Sequence, residues 1–264
     1  MAADVISGEG GAVNGEECVR LWKLARISKP AMGVCSASDG AVLRAAGISD
    51  WQGVYTGYGH TPSVLPGTKF QFIGATRESK GATAIASGAI MERTQIKWSI
   101  EAGGFIEFAN YFACCEGAIT FGAASASDSS TPDPSIARSC TINLTGCEEL
   151  REMEMNLISR NPSYVTATTD GRRERDVGNK DGNFRCKIYT KDASFPAESA
   201  VEEVEFGVGD GLKWIMKWAI VTLTAPLLQI EEGMFEADLA GEFTGYYNGA
   251  KGNVTSPAGV NWWP

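Results

Sequence analysis

The sequence predicts an all-β protein with a minor helical part. Segments such as 183–190 alternate apolar and polar residues with a period of two, which is typical of half-buried strands. The chain also has 31 glycines and many Thr, Val, Ile and aromatic residues, a composition that favours strands joined by turns. A Ser-, Asp- and Pro-rich stretch over 123–138 separates two halves. We therefore expect two related β-sandwich or barrel domains with extended loops and terminal arms.

The first half is expected to contain a flexible arm over 1–20 and a β domain over 21–122. A short helix is predicted over 39–48, where Gly47 would end it, and a Gly-, Tyr- and Pro-rich loop over 51–67. Apolar alternation predicts strands at 19–26, 69–76, 94–100, 104–114 and 118–122.

The second half is expected to begin after the 123–138 linker and to form a β domain over 139–245. A long charged loop occupies 165–182, helical composition marks 196–205, and a C-terminal arm covers 246–264. Strands are predicted at 141–144, 153–159, 183–190, 213–224 and 235–244.

Shared landmarks suggest that the two halves are related. Each half has an alternating strand with phenylalanine (Phe70 and Phe72; Phe184) and a later Lys-Trp strand (Trp98; Trp218). A Glu/Phe segment follows in both. This order predicts a duplicated β fold.

Composition argues against several functions. A formal net charge of -9 does not suit a surface that grips nucleic acid, which needs clustered Lys and Arg. Seven cysteines without a CxxC pair, and a single histidine, predict buried thiols in a reducing compartment and no metal site. The N-terminus lacks the features of a signal peptide, and no apolar run has the length of a membrane helix, so we expect cytosolic synthesis.

The sequence offers no constellation that predicts catalysis. The glycine cluster at 207–211 precedes an apolar strand, whereas a phosphate-binding loop precedes a helix. Acidic runs at 148–149, 202–205 and 231–232 are typical of solvated faces, and His60 lies in a loop with no nucleophile beside it in the sequence. We predict that the protein is not an enzyme and has no cofactor.

Three groups of residues are candidates for contacts. An Arg-rich loop cluster is predicted to contact a neighbouring subunit, because arginines flanked by acids fix the register between partners. The terminal tryptophan pair is either an interface anchor or packed on its own domain. Acidic residues on one strand would line a channel in a ring, or form a solvent-exposed face in a monomer. The three groups are Arg172, Arg173, Arg175 and Asp176; Trp262 and Trp263; and Glu236, Asp238 and Glu242.

Residues 140–245 resemble the tail tube (major tail) proteins of tailed bacteriophages. The resemblance lies in an alternating strand at 153–157, a Thr-Thr-Asp-Gly-Arg-Arg loop at 168–173, a turn at 177–182 and the strand from Phe184. It implies stacked homo-oligomeric rings, trimeric or hexameric, in the virion after assembly in the host cytoplasm. Such a tube contacts other virion proteins, and DNA passes through it without specific binding. The acidic charge of the chain is consistent with a negatively charged lumen.

Two other functions remain open from the sequence. Capsid decoration proteins also use small β domains with extended arms, and such a protein would bind a phage shell. A secreted carbohydrate-binding or hydrolytic β-sandwich is the third alternative, although the cysteine pattern and the N-terminus do not favour it.

Overall fold

The described residues form seventeen strands. The computed structural model describes residues 3–9, 12–13, 15–16, 18–34, 41–60, 62–76, 83–100, 104–122, 140–144, 147, 149–169, 171–190, 199–231 and 234–262. The first half contains β1 (Ala3–Glu9), β2 (Val19–Gly33), β3 (Leu43–Tyr58), β4 (Lys69–Ala75), β5 (Thr83–Ser99) and β6 (Glu107–Gly122). The second half contains β7 (Thr141–Asn143), β8 (Glu149–Arg160), β9 (Ser163–Tyr164), β10 (Glu174–Arg175), β11 (Asn179–Thr190), β12 (Ala200–Gly209), β13 (Leu212–Glu231), β14 (Met234–Phe243), β15 (Tyr246–Tyr247), β16 (Ala250–Lys251) and β17 (Asn253–Thr255). The prediction of an all-β fold is confirmed.

One antiparallel sheet of 13 strands runs through both halves. Its order is β1-β2-β3-β6-β5-β8-β11-β14-β13-β12-β7, with β4 paired to β5 and β17 paired to β13. The halves are joined where β5 pairs with β8, from Arg93↔Ile158 to Ser99↔Glu152. The boundary expected from the 123–138 linker, which lies outside the described residues, is therefore bridged by backbone hydrogen bonds.

The same strand order occurs in each half. Taken in space, the first half runs β2-β3-β6-β5-β4 and the second runs β8-β11-β14-β13-β12, so that strands occupy corresponding places in the same sequence order. A short segment also borders the last strand of each half: Val13 bridges Gly74 of β4, and β7 pairs with β12.

The sheet folds back on its apolar face in both halves. In the first half Phe72 of β4 stacks on Phe112 of β6, with ring centroids 4.6 Å apart. In the second half Phe206 of β12 meets Phe184 of β11 edge-on at 5.1 Å. These rings belong to one cluster of buried residues that includes members of both halves. Aromatic pairs of this kind add to the free energy gained by burying apolar area.

The two predicted helices are wrong. The 39–48 segment enters β3 at Leu43, and the 196–205 segment enters β12 at Ala200. Alanine and glutamate favour helices, but pairing with β2 and β13 decides these segments, because tertiary contacts override weak local preference. Within the described residues, the helical content is a 3₁₀ turn at Ala167–Thr169.

The extended loops and arms are more ordered than predicted. Residues 51–58 of the expected loop 51–67 belong to β3, and residues 179–182 of the expected loop 165–182 belong to β11. Within the expected N-terminal arm, Ala3–Glu9 is a strand on the β2 edge. In the expected C-terminal arm, β17 pairs with β13.

The sequence landmarks that suggested the duplication do not coincide in space. Phe72 lies on β4, whose counterpart β12 carries Phe206, whereas Phe184 lies on β11. Trp98 lies in the stretch of β5 that pairs with β8, whereas Trp218 lies in the stretch of β13 that pairs with β12. The likeness of the halves therefore lies in strand order and not in these residues.

Candidate functional site

The charged loop between β8 and β11 folds onto the first half of its own chain. The amide of Ser49 donates to the carbonyl of Gly171 at 2.9 Å, and the amide of Arg173 donates to Ser49 at 2.8 Å. Arg172 forms a parallel bridge with Ser49. The loop is thus fixed against β3 by backbone hydrogen bonds.

Arg175 is the buried centre of an ion cluster whose acids, Asp50 and Glu92, are partly exposed. Its guanidinium binds both carboxylate oxygens of Asp50 at 2.9 Å and donates to the carbonyl of Cys114 at 3.0 Å. Its Nε lies 3.1 Å from a carboxylate oxygen of Glu92. Burial raises the pKa of Glu92, against the opposing effect of the Arg175 charge. A bidentate pair of this kind is strong and directional.

The predicted inter-subunit role of Arg175 has little support in this geometry. Its side chain is about 10% exposed and bound within the chain, so it has little surface for a neighbour. Arg173 is 37% exposed and lies 3.9 Å from Asp50. Asp176 is exposed and pairs with Lys69 at 3.3 Å. Arg172 and Arg173 are thus partly exposed and Asp176 is exposed, whereas the contacts of Arg175 lie within its own chain.

Trp262 fills a groove on its own chain. It is buried, its indole Nε1 donates to the carbonyl of Pro66 at 2.7 Å, and its amide donates to Val254 at 2.8 Å. The ammonium of Lys180 lies 5.7 Å from the ring centroid and also donates to the carbonyl of Trp262. Of the two roles considered for the tail, Trp262 has the internal one, and Trp263 lies outside the described residues.

The predicted acidic stripe is interleaved with basic residues. Asp238 and Glu242 are exposed on β14, but Glu236 is half-buried and bound to Lys187 of β11 at 3.1 Å. Burial alone would raise the pKa of Glu236, and hydrogen bonds from Lys187 and Tyr189 outweigh it and lower the pKa. The stripe is therefore partly neutralised.

The face of the sheet that carries Lys187 and Asp238, called the outer face below, alternates in charge from strand to strand. Acids on β14, β8 and β6 flank bases on β11 and β5, and Lys97 of β5 binds Glu107 of β6 at 3.2 Å. A groove of about 740 Å³ lies on the face, and its charged lining consists of Lys97, Glu107, Glu152, Glu154, Arg185, Lys187 and Asp238. With three bases and four acids, the groove has no strong preference for a polyanion. Opposite charges on paired strands fix the register of the sheet.

A two-stranded arm extends beyond the sheet. The pairing of β2 with β3 continues from Ser28↔Ser49 to Gly33↔Leu43. The pairing of β1 with β2 extends only to Ile27 of β2, and the pairing of β6 with β3 extends only to Gln52 of β3. Large apolar side chains are exposed on and beside the arm, namely Met32, Val34, Val42, Leu43 and Ile48. Met32 pairs with Arg44 and Leu43 with Gly33, so the exposed apolar side chains lie on both faces of the ribbon. Exposed apolar residues grouped on one element are typical of a contact surface. The sequence reading missed the arm because it assigned part of it to a helix.

The six cysteines that the structure describes are thiols, as predicted. Cys114, Cys140 and Cys186 are buried, and burial raises the pKa of each, to about 12 for Cys114 and Cys140. These thiols stay protonated in the folded state while the unfolded chain ionises above about pH 8.5, so the unfolded chain binds fewer protons. Stability therefore falls as the pH rises through this range.

We expect the free energy of unfolding to drop between pH 7.5 and 10 by on the order of 1 kcal/mol for each buried thiol. Urea titrations under reducing conditions at the two pH values measure the change. Cys140→Ala should reduce the pH-dependent loss by the share of one thiol. An equal free energy of unfolding at both pH values would contradict this assignment.

Comparison with known proteins adds no identification. No protein-family model matches the chain, and no curated protein is significantly similar to it. Among the residues whose positions are described, no group of three or more His, Cys, Asp or Glu side chains is placed to hold a metal ion. The described part of the chain also contains no helix long and apolar enough to cross a membrane.

Proposed function

We propose that this protein is a virion structural subunit that assembles with copies of itself into stacked rings, forming the tail tube of a tailed phage. The observation that carries the proposal is the β5–β8 junction. Two units of the same strand order are already joined edge to edge in one sheet. Repeating such a contact between chains gives a ring when the rotation closes, and three chains of two units each would give six units.

The arm supports this proposal. A ribbon with Met32 67% and Leu43 52% exposed presents apolar area that a neighbouring copy would bury. Arg172 and Arg173, which contact Ser49 at the base of the arm, supply charges for orienting that contact. The mixed charge of the outer face suits a conduit that DNA passes without specific binding, because such a surface does not concentrate phosphate.

Negative-stain electron microscopy over a range of concentrations tests the proposal. We expect rings or hollow filaments of uniform width. Discrete monomers or trimers that never stack, and that bind phage shells, would instead indicate a capsid decoration protein. Glycan binding without assembly would favour the carbohydrate-binding alternative.

The double variant Met32→Ser/Leu43→Ser tests the arm in the same assay. Both side chains are exposed, so the melting temperature should stay within a few degrees of the wild type while the yield of rings falls at least tenfold. Tyr246→Ser, at a residue 65% exposed outside the arm, is the matched control and should assemble normally. Undiminished assembly of the double variant would exclude the arm from the interface.

A further inference from the structure

Corresponding residues in the two halves can be aligned through a glycine that lies under an aromatic ring. In the first half Leu24, Gly53, Phe112 and Met91 lie in one row across β2, β3, β6 and β5. In the second half Met155, Phe184, Gly241 and Val221 form the row across β8, β11, β14 and β13. A Cβ added to Gly53 on β3 would overlap the Phe112 ring on β6, and in the second half the two residue types exchange strands, because a Cβ added to Gly241 on β14 would overlap Phe184 on β11. A further pair, Gly182 of β11 under Phe243 of β14, keeps the strand assignment of the first half and shifts the alignment by two residues. Leu24 thus corresponds to Met155 by the first match and to Leu157 by the second.

This alignment gives β1 a specific position. On β8, residues 152–158 pair with β5. The corresponding residues of β2 are 21–27, and these are the residues that pair with β1, from Glu9↔Leu21 to Ala3↔Ile27. Both pairings are antiparallel. With the second match the corresponding residues are 19–25, and β1 still pairs with 21–25 of them. Strand β1 therefore covers the edge of β2 at which the first unit would receive a preceding unit.

The strand that would make this contact is β13. The stretch of β5 that pairs with β8 corresponds to β13 from Leu223 onwards, and the pairing of β12 with β13 ends at Val221. Among the described residues, no strand pairs with that side of β13 from Leu223 to Glu231. Pro226 and two shifts of register interrupt this stretch, as is common on edges that must not pair indiscriminately.

We propose that β1 is a displaceable cover, and that the β2 edge beneath it is the docking site for β13 of a second copy of this chain. This inference rests on the proposed self-assembly and specifies its junction. Repeating the β5–β8 contact in this way uses the β13 edge and the β2 edge of every chain in a closed ring. In the separate chain, β1 pairs with the β2 edge and so protects it from uncontrolled association.

Two variants test the cover. A chain without residues 1–9 should form rings at a concentration at least tenfold lower than the wild type. Val5→Cys/Ala25→Cys joins two positions paired in register, so its disulfide should hold β1 in place. We expect the oxidised form to remain unassembled and to assemble after reduction. Each single cysteine variant is a control, and peptide mapping identifies the 5–25 link among the native thiols.

The outcomes separate this inference from the proposed function. If the wild type forms rings while the truncated chain assembles no better, or the oxidised variant assembles normally, β1 is not the cover and the rings use another edge. Amorphous aggregation of the truncated chain in place of rings also counts against the β2 edge as a specific site. If neither the wild type nor the truncated chain forms rings, both proposals fail.

Discussion

Replacing Arg175 with alanine is expected to lower the free energy of unfolding by about 3 kcal/mol, because it leaves the largely buried Asp50 and the partly exposed Glu92 without their counter-charge. Asp50 is 12% exposed and loses a bidentate partner, and Glu92 loses its ion pair. The carbonyl of Cys114 also loses a donor. For a chain of this size the change corresponds to a fall of roughly 10 °C in melting temperature.

The Arg175→Ala measurement has two matched controls. Arg173→Ala removes a more exposed arginine 3.9 Å from the same carboxylate, and it should cost less than about 1 kcal/mol. The double variant Asp50→Ala/Arg175→Ala should cost less than the sum of the single variants, because each alone leaves the other charge unpaired. A loss of ring formation by Arg175→Ala at unchanged stability would contradict the structural role and restore the inter-subunit one.

Trp262→Ala is expected to destabilise the protein by about 3–5 kcal/mol, a typical cost for removing a buried tryptophan. The substitution opens a cavity in the core cluster and leaves the carbonyl of Pro66 without its indole donor. Lys180, whose pKa is lowered by burial, would also lose its contact with the ring. Thermal unfolding gives the size of the effect.

Limited proteolysis shows whether the tail itself is released in Trp262→Ala. We expect early cleavage beyond β14, because Trp262 and β17 attach this segment to the body. Val260→Ala, at a 52% exposed residue of the same tail, is the control and should change the free energy of unfolding by less than about 0.5 kcal/mol. Normal stability of Trp262→Ala combined with failed assembly would show instead that the tryptophan acts between subunits.

The arm and the covered edge would contact a neighbouring copy through different groups. The arm supplies exposed apolar side chains, whereas the β2 edge supplies backbone hydrogen bonds that any strand of suitable register could use. Specificity would then come from the arm and from the charges of Arg172, Arg173 and Asp176. The strand edges would make the sheet continuous between copies. Varying the arm and β1 separately distinguishes the two contributions.

The class of fold and the inward faces of several strands were predictable from the amino-acid pattern alone. The alternation in 183–190 places Phe184 and Cys186 in the core, and the alternation in 94–100 does so for Ile96 and Trp98. Such strands can be predicted because one face is buried and the other is exposed to solvent, and neighbouring residues point to opposite faces. The buried thiols were predicted on the same basis.

The pairing of the strands and the burial of particular polar residues depend on contacts between distant parts of the chain. The β5–β8 junction joins residues about sixty positions apart, and nothing local in either strand specifies its partner. Arg175 belongs to an exposed-looking charged loop, and it is buried because Asp50 and Glu92 come to it from distant strands. The 39–48 segment has a helical composition, but its backbone pairs with β2 and continues as the arm. In each case long-range contacts outweigh local preferences of a few tenths of a kcal/mol per residue.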